Sequence, residues 1–267
     1  MTMDNQAVRL EMKGALALVT LTQAARGNPF DGDFTRDFKR VAAELWDHQE
    51  AGRLRAVLLQ AEGANFSYGG DLKSFYPVRD KLGSLVREWT GSLHMGLQRF
   101  WQLPVPVVCA VQGFAMGGGV ALLAGADVVL AGETARFGSA FAQLGFSCDS
   151  GSSLTLTARM GPARAKRFVL LAEVLSSADA LQAGLADRVV SDERLQEEAA
   201  ALAQRLAEGP TMAYGEIKRL FLAAGGAQLT AQLEDEALTL ARVAGSADAQ
   251  EGISAMVERR KPVFKGA

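Results

Sequence analysis

Two glycine turns and one aspartate are the parts of this sequence that could do chemistry. Gly117, Gly118 and Gly119 follow an apolar run, Val105 to Val111, with valine at 105, 107, 108 and 111. That run reads as a buried strand. The small apolar segment after the glycines, Val120 to Ala126, reads as a buried helix. The first amides of a helix have no partner inside it and stand at the positive end of its dipole. Glycine lets a ligand atom come close to them. A second glycine turn, in NFSYGGDLKSF (Asn65 to Phe75), follows the strand Ala56 to Gln60 and offers another backbone donor at Gly70. A phosphate is one possible ligand, but Gly-x-x-x-x-Gly-Lys-Ser/Thr is absent and GFAMGGG fits Gly-x-Gly-x-x-Gly poorly. A carbonyl oxygen that becomes negative during reaction is another. A packing turn with no ligand is the third, and the triplet alone leaves it ahead. Asp149 stands in GFSCDSGSS (Gly145 to Ser153), just before a helix expected to start at Ser150 to Ser153. Two roles are open to it: N-cap of that helix, or a base.

Other elements must position these groups. Val8 to Met12 and Ala15 to Leu21 read as strands around Lys13-Gly14, the second apolar enough to be covered on both sides. Gln23 to Asp33 is a polar loop. Phe34 to Asp47 is an amphipathic helix with Phe34, Phe38, Val41, Ala42 and Leu45 on one face, and His48 follows at its end. Tyr76 to Gln102 is expected to hold a mobile segment and then a helix, Leu85 to Trp101, which carries His94. Asp127 to Leu130 and Ala135 to Phe137 read as short strands. Helices follow over Ala163 to Ala172, over Ala178 to Ala183 with a cap at Ser176 or Ser177 and a stop at Gly184, and over Asp192 to Glu208, Thr211 to Ala224, Leu229 to Val243 and Ala247 to Arg260.

The chain has 267 residues, 49% of them hydrophobic, enough for a large core. A formal net charge of −2 gives no support for nucleic acid or an anionic membrane as partner. Two cysteines, Cys109 and Cys148, make no disulfide framework. MTMDNQAVRLEM lacks the apolar run of a signal peptide, and no membrane-spanning stretch is free of charge. A cytoplasmic location is expected.

Taken together, ANFSYGGDLKSF, PVPVVCAVQGFAMGGGVALLAGAD, ARFGSAFAQLGFSCDSGSS and SADALQAGLADRVV resemble the enoyl-CoA hydratase/isomerase, or crotonase, superfamily. The four motifs occur in order and at the expected spacing, and the resemblance runs from about residue 8 to residue 266. It implies an α/β fold, a spiral of ββα units of roughly 45 to 50 residues, closed by a helical C-terminal region. Residues 1–195 would form the core with an acyl-CoA site, and 196–267 would serve trimerisation, giving a homotrimer or a dimer of trimers. The substrate would be an acyl-CoA thioester that carries its own coenzyme A, with no further cofactor and no metal.

The same resemblance assigns roles to residues. Gly70 and Gly118 would donate to the thioester oxygen. Tyr68, Asp71, Leu72 and Lys73 of the first turn would lie at the substrate, and Tyr76, Val78, Leu82 and Trp89 are candidates for the acyl pocket. Arg26 would meet a phosphate of coenzyme A or stand in solvent. Lys261, Phe264 and Lys265 are candidates for a tail that reaches the coenzyme A of a neighbouring subunit, or else form a solvated basic tail. His94 corresponds to a histidine that borders the site in some relatives, including aroyl-CoA dehalogenases, or else is a packed, hydrogen-bonded helix residue. The chain departs from the hydratases where they carry two glutamates: here stand Ala121 and Phe141, neither able to move a proton. Asp149 matches instead the aspartate of isomerases with Pro-Asp-x-Gly-x-Ser/Thr, with Cys148 in place of the proline. The expected activity is double-bond isomerisation, 3-enoyl-CoA to 2-enoyl-CoA, with Asp149 as base. Acyl-CoA hydrolysis or dehalogenation through Asp149, a hydratase-like activity, and acyl-CoA binding without catalysis are the alternatives.

Overall fold

Short apolar runs alternating with amphipathic helices build a mixed α/β molecule. The computed structural model describes residues 6–224 and 229–266. In chain order the elements are β1 (Val8–Lys13), β2 (Leu16–Leu21), β3 (Pro29–Phe30), α1 (Gly32–Glu50), β4 (Ala56–Ala61), β5 (Gly69–Gly70), α2 (Leu72–Phe75), α3 (Leu82–Trp101), β6 (Val107–Val111), β7 (Phe114–Met116), α4 (Gly118–Ala124), β8 (Val128–Gly132), β9 (Arg136–Gly138), α5 (Ser152–Met160), α6 (Pro162–Leu170), β10 (Val174–Ser176), α7 (Ser177–Ala183), β11 (Arg188–Val190), α8 (Leu195–Ala207), α9 (Thr211–Ala224), α10 (Leu229–Ala244) and α11 (Ala247–Glu258).

The main sheet has the order β1-β2-β4-β6-β8-β11, with β1 antiparallel to β2 and every other pair parallel. Successive strand residues point to opposite faces, and the apolar runs supply both. Val19, Val57, Leu59, Cys109, Val111 and Val129 pack with α1, α3 and α4 on one face. Leu18, Leu58, Val108, Ala110 and Leu130 pack on the other with Leu195, Ala199, Ala203 and Ala207 of α8. A parallel sheet covered on both faces requires near-continuous apolar strands, which β2 and β6 have, every residue of both being buried. The division expected at 195/196 falls at the first residue of α8, and α8 shares the sheet's core. The helices after it include α10, which packs against α3 through Leu240 and Ala244 against Leu82 and Val86.

Local sequence sets the helix ends. Asp31 caps α1, its carboxylate accepting from the Phe34 amide at 2.9 Å. Ser176 and Asp179 form a capping box on α7, which stops at Gly184 with φ 82°. Two expectations change. Between the buried strand and the glycine triplet, where the sequence suggested only a turn, lies β7, which joins β9 and β10 in a small second sheet. The spiral is also uneven: β6 begins at Val107 and β8 already at Val128, because the helix between them, α4, has only 7 residues. Among the described residues no helix is long and apolar enough to cross a membrane.

Candidate active site

The two glycine turns lie against each other, backbone on backbone. Gly117 has φ 51° and ψ −119°, a conformation hostile to any side chain. A Cβ on Gly118 would stand 2.8 Å from the Phe30 ring, and one on Gly119 would stand 2.9 Å from Ser67 Cβ. Across from them Gly69 has φ 74°; a Cβ there would meet the Met116 carbonyl oxygen at 2.6 Å and the Gly118 nitrogen at 2.9 Å. Hydrogen bonds hold this packing. The Met116 amide donates to the Ser67 carbonyl at 2.9 Å, and the Ser67 amide donates to the Phe114 carbonyl at 3.1 Å. Buried Ser67 Oγ accepts from the Gly69 amide at 3.0 Å and donates to the Asn28 carbonyl at 2.7 Å. The Gly118 amide is the first of α4 and has no acceptor within the helix. Gly70 and Gly118 both line one cavity of about 1370 Å³.

Asp149 lines that cavity as well, and its carboxylate is held at both oxygens. Oδ1 is 2.8 Å from His94 Nε2 of α3, and Oδ2 accepts from Ser150 Oγ at 3.2 Å. Ser150 is buried with φ 58°, and its hydroxyl would lie 3.4 Å from a Cβ on Gly118. One serine therefore connects the carboxylate to the glycine turn. The Asp149 side chain does not cap α5. That helix has Gly151 at its N-cap, with no capping side chain of its own. Its free amides are taken by a residue from a distant part of the chain: Glu236 of α10 accepts from the Gly151 amide at 2.7 Å and from the Ser153 amide at 2.9 Å.

His94, Asp149 and Glu236 form a cluster whose ligand-type atoms lie within 4.8 Å of one another. Three such groups can hold a metal; here the carboxylates are engaged by an imidazole, a hydroxyl and two amides, while the buried His94 Nδ1 has no hydrogen-bond partner among the described residues. Burial opposes charge on His94; the hydrogen bond and charge of Asp149, then the charge of Glu236, outweigh it and raise the His94 pKa above its ordinary 6.5. Burial is also the largest influence on Glu236, and with the charge of Asp149 it holds that carboxyl above its ordinary range despite the amides of Ser153 and Gly151. Cys148 has its thiol pushed up by burial, then by the charge of Glu236.

Of the residues singled out by sequence, Tyr68, Gly70, Asp71, Leu72, Lys73, Gly118, Phe141 and Asp149 line the cavity, as do Arg26 and Trp89. Asp71 caps α2 and, with Asp31, pairs with Arg26 at 2.7 and 2.6 Å. Asp71 is held below the usual carboxylate range: burial works against this, and Ser74 and Arg26 outweigh it. His94 lies behind Asp149 and not on the cavity wall. Ala121 is fully buried inside α4. Tyr76 packs beside the cavity, under the Arg79 guanidinium at 4.4 Å. Val78 and Leu82 are likewise off its wall, Leu82 fully buried against Leu240 and Ala244. Lys261 and Phe264 are exposed and outside the cavity, in a tail whose Val263, Lys265 and Gly266 amides bond to Glu251 and Asp248 of α11. Glu236 was not among the sequence candidates. Its signal was available: it falls between Leu233 and Leu240 on the apolar stripe of α10, where an unaccompanied carboxylate needs a reason.

Comparison with known proteins bears on this arrangement. Residues 11–267 match the family model described as enoyl-CoA hydratase/isomerase. A 1,2-epoxyphenylacetyl-CoA isomerase from Escherichia coli is 36% identical over 260 residues, 95% of this chain and 96% of that protein. A protein from Rhodobacter capsulatus named as a probable enoyl-CoA hydratase is 33% identical over 264 residues, 99% of this chain and all of that one. The crystal structure of an enoyl-CoA hydratase from Mycobacterium avium subsp. paratuberculosis superposes with a TM-score of 0.85 at 27% identity, covering 97% of this chain and 98% of that one.

Proposed function

The chain belongs to the enoyl-CoA hydratase/isomerase family, and from that premise we propose that it is an acyl-CoA double-bond isomerase with Asp149 as its base. One observation carries the reading. Asp149 lines the same cavity as Gly70 and Gly118, while Ala121 and Phe141 stand where the hydratases are expected to carry their two glutamates. Addition of water to a double bond needs one group to activate water and another to manage the α-proton. An internal proton transfer needs a single carboxylate.

In this reading the thioester oxygen of a 3-enoyl-CoA accepts from the amides of Gly70 and Gly118. Asp149 takes a proton from C2; the electron pair of that C–H bond forms a dienolate, and negative charge moves to the thioester oxygen. Each preorganised donor stabilises that charge by about 3 kcal/mol. The same proton is returned to C4, the double bond moves from C3–C4 to C2–C3, and the carboxylate is regenerated. His94 and Ser150 orient the carboxylate. Coenzyme A would run toward the cationic mouth, where Lys73 makes no ion pair among the described residues. The apolar end, lined by Val86, Leu93, Phe146 and stacked Phe75 and Trp89 with ring centroids 5.6 Å apart, would take the acyl chain. A trimer, or a pair of trimers, is part of the proposal.

The test is product analysis and deuterium exchange with a 3-enoyl-CoA, wild type beside Asp149→Asn. Conversion to the 2-enoyl thioester is expected in the wild type, with a loss of about 10²- to 10⁴-fold in the variant. An Asp149→Asn protein that binds acyl-CoA and turns over at the wild-type rate overturns the assignment.

The contact between His94 and Asp149 favours a second reading, in which Asp149 attacks the thioester carbonyl carbon, the C–S bond breaks and coenzyme A leaves as its thiolate, and water added at the Asp149 carbonyl of the mixed anhydride releases the free acid and restores the carboxylate, the thiolate taking the proton that water gives up. That chemistry leaves a mark that isomerisation does not: oxygen from ¹⁸O-water appears in the Asp149 carboxylate after a single turnover.

A further inference from the structure

Glu236 is buried to 4% exposure on the apolar stripe of α10 and pairs with no cation among the described residues. An ionised carboxylate in such a place is expensive unless hydrogen bonds replace its water. Both its oxygens are used on one object, the backbone that follows Asp149, through the amides of Gly151 and Ser153.

That backbone needs holding. Ser150, not a glycine, sits at φ 58°, and Gly151 follows at φ 73°. A non-glycine residue persists in that region only where its surroundings over-determine it. On the other side Gly151 is pressed against Trp101, whose ring a Cβ would meet at 2.6 Å. The turn is thus pinned between the indole of α3 and the carboxylate of α10, and it is the turn that aims Asp149 at His94 and into the cavity.

We propose that Glu236 is a positioning residue for Asp149, fixing through the Gly151 and Ser153 amides the direction in which the Asp149 carboxylate points. The proposal rests on the reading of Asp149 as the reacting carboxylate. It makes the C-terminal helical region part of the active site: a residue 87 positions after the base completes its support. A carboxylate suits this task better than an amide, because glutamine would set its own N–H₂ against one of the two donors and keep one bond of the two.

The chain has two histidines, His48 and His94, so a ¹⁵N-histidine NMR spectrum of the whole protein reports the Asp149 partner directly, with His94→Gln identifying its signals. In Glu236→Gln the His94 ring signals are expected to shift while those of His48 stay; because the charge of Glu236 also acts on His94 directly, the same shift in Glu236→Asp, which keeps the charge, is what assigns it to the turn. Turnover of 3-enoyl-CoA is expected to fall about 100-fold in kcat at unchanged KM, the effect of misplacing a reacting group by about 1 Å. In an Asp149→Asn background the same substitution is expected to produce no further loss. Should Glu236→Gln not fold, Glu236→Asp keeps the charge, withdraws it from the turn, and is read the same way. Unchanged His94 signals in a folded variant, or an equal loss in both backgrounds, overturns the proposal. A wild type that isomerises no 3-enoyl-CoA defeats the isomerase reading alone, since the His94 signals still decide what Glu236 does.

Discussion

At the scale of the residue, Asp149 is defined by its neighbours more than by its place in the chain. An aspartate before a helix is ordinarily a cap. Here the cap is supplied by Glu236, which leaves Asp149 to His94 and Ser150. A buried pair of this kind adds little net stability, since desolvation offsets the attraction, but it restricts the carboxylate to one orientation. It also makes stability depend on pH with a definite sign. The His94 pKa is raised by folding, so the protonated ring stabilises the folded state fully below the ordinary value of about 6.5, and that contribution is lost as pH rises through the folded value. Glu236, also raised, has the same sign at lower pH. The melting temperature of wild type minus that of His94→Gln is therefore expected to be largest near pH 6 and to shrink toward pH 9. A difference that grows with pH would contradict the pairing.

Elements bring these residues together through close backbone approach. The turn before α4 and the turn at β5 touch at Gly69, where positive φ and contact with the Met116 carbonyl both forbid a side chain. Gly14, in the β1–β2 hairpin, has a similar φ of 62° but open space around it. The pair separates strain from collision. Gly14→Ala is expected to lose about 1 to 2 kcal/mol, the penalty of the left-handed region alone. Gly69→Ala is expected to lose clearly more, at least about 3 kcal/mol, and to lower kcat by displacing the Gly118 amide. Urea denaturation of both variants measures this. The uneven spiral has a related cause: α4 is small, glycine-rich and fully buried, so the chain reaches β8 after few residues and keeps the triplet at the end of β7.

On the scale of the whole molecule, the sheet is satisfied on both faces while some helices are not. α9 exposes Ile217, Leu220 and Phe221, the last at 77%, at helical spacing on one face, and an exposed apolar face of this kind is where an interface is expected. A closed ring of three copies would cover it. Sedimentation at micromolar protein is expected to give about three or six times the 28.3 kDa of the chain, and Phe221→Glu is expected to shift the distribution toward monomer. A monomer at all concentrations would remove the assembly from the proposal. The exposed tail bearing Lys261 and Phe264 belongs to the same question, since its expected contact is with a neighbouring subunit's coenzyme A and not with the cavity of its own chain.

What the sequence determined by itself follows from local rules. Apolar runs with period two or none gave the strands, helical spacing gave the buried face of α1, and Ser176, Gly184 and the glycine triplet marked ends and turns, because each depends on neighbours within a few residues. The family, too, was legible, since ordered motifs encode it. Tertiary structure alone decided who meets Asp149. His94 lies 55 residues before it and Glu236 87 after it, and no local pattern connects the three. Their meeting depends on α10 packing across α3, which sets a glutamate from an apolar stripe beside two free amides. The capping rule could be read from the chain; the side chain that fulfils it could be found only where the helices cross.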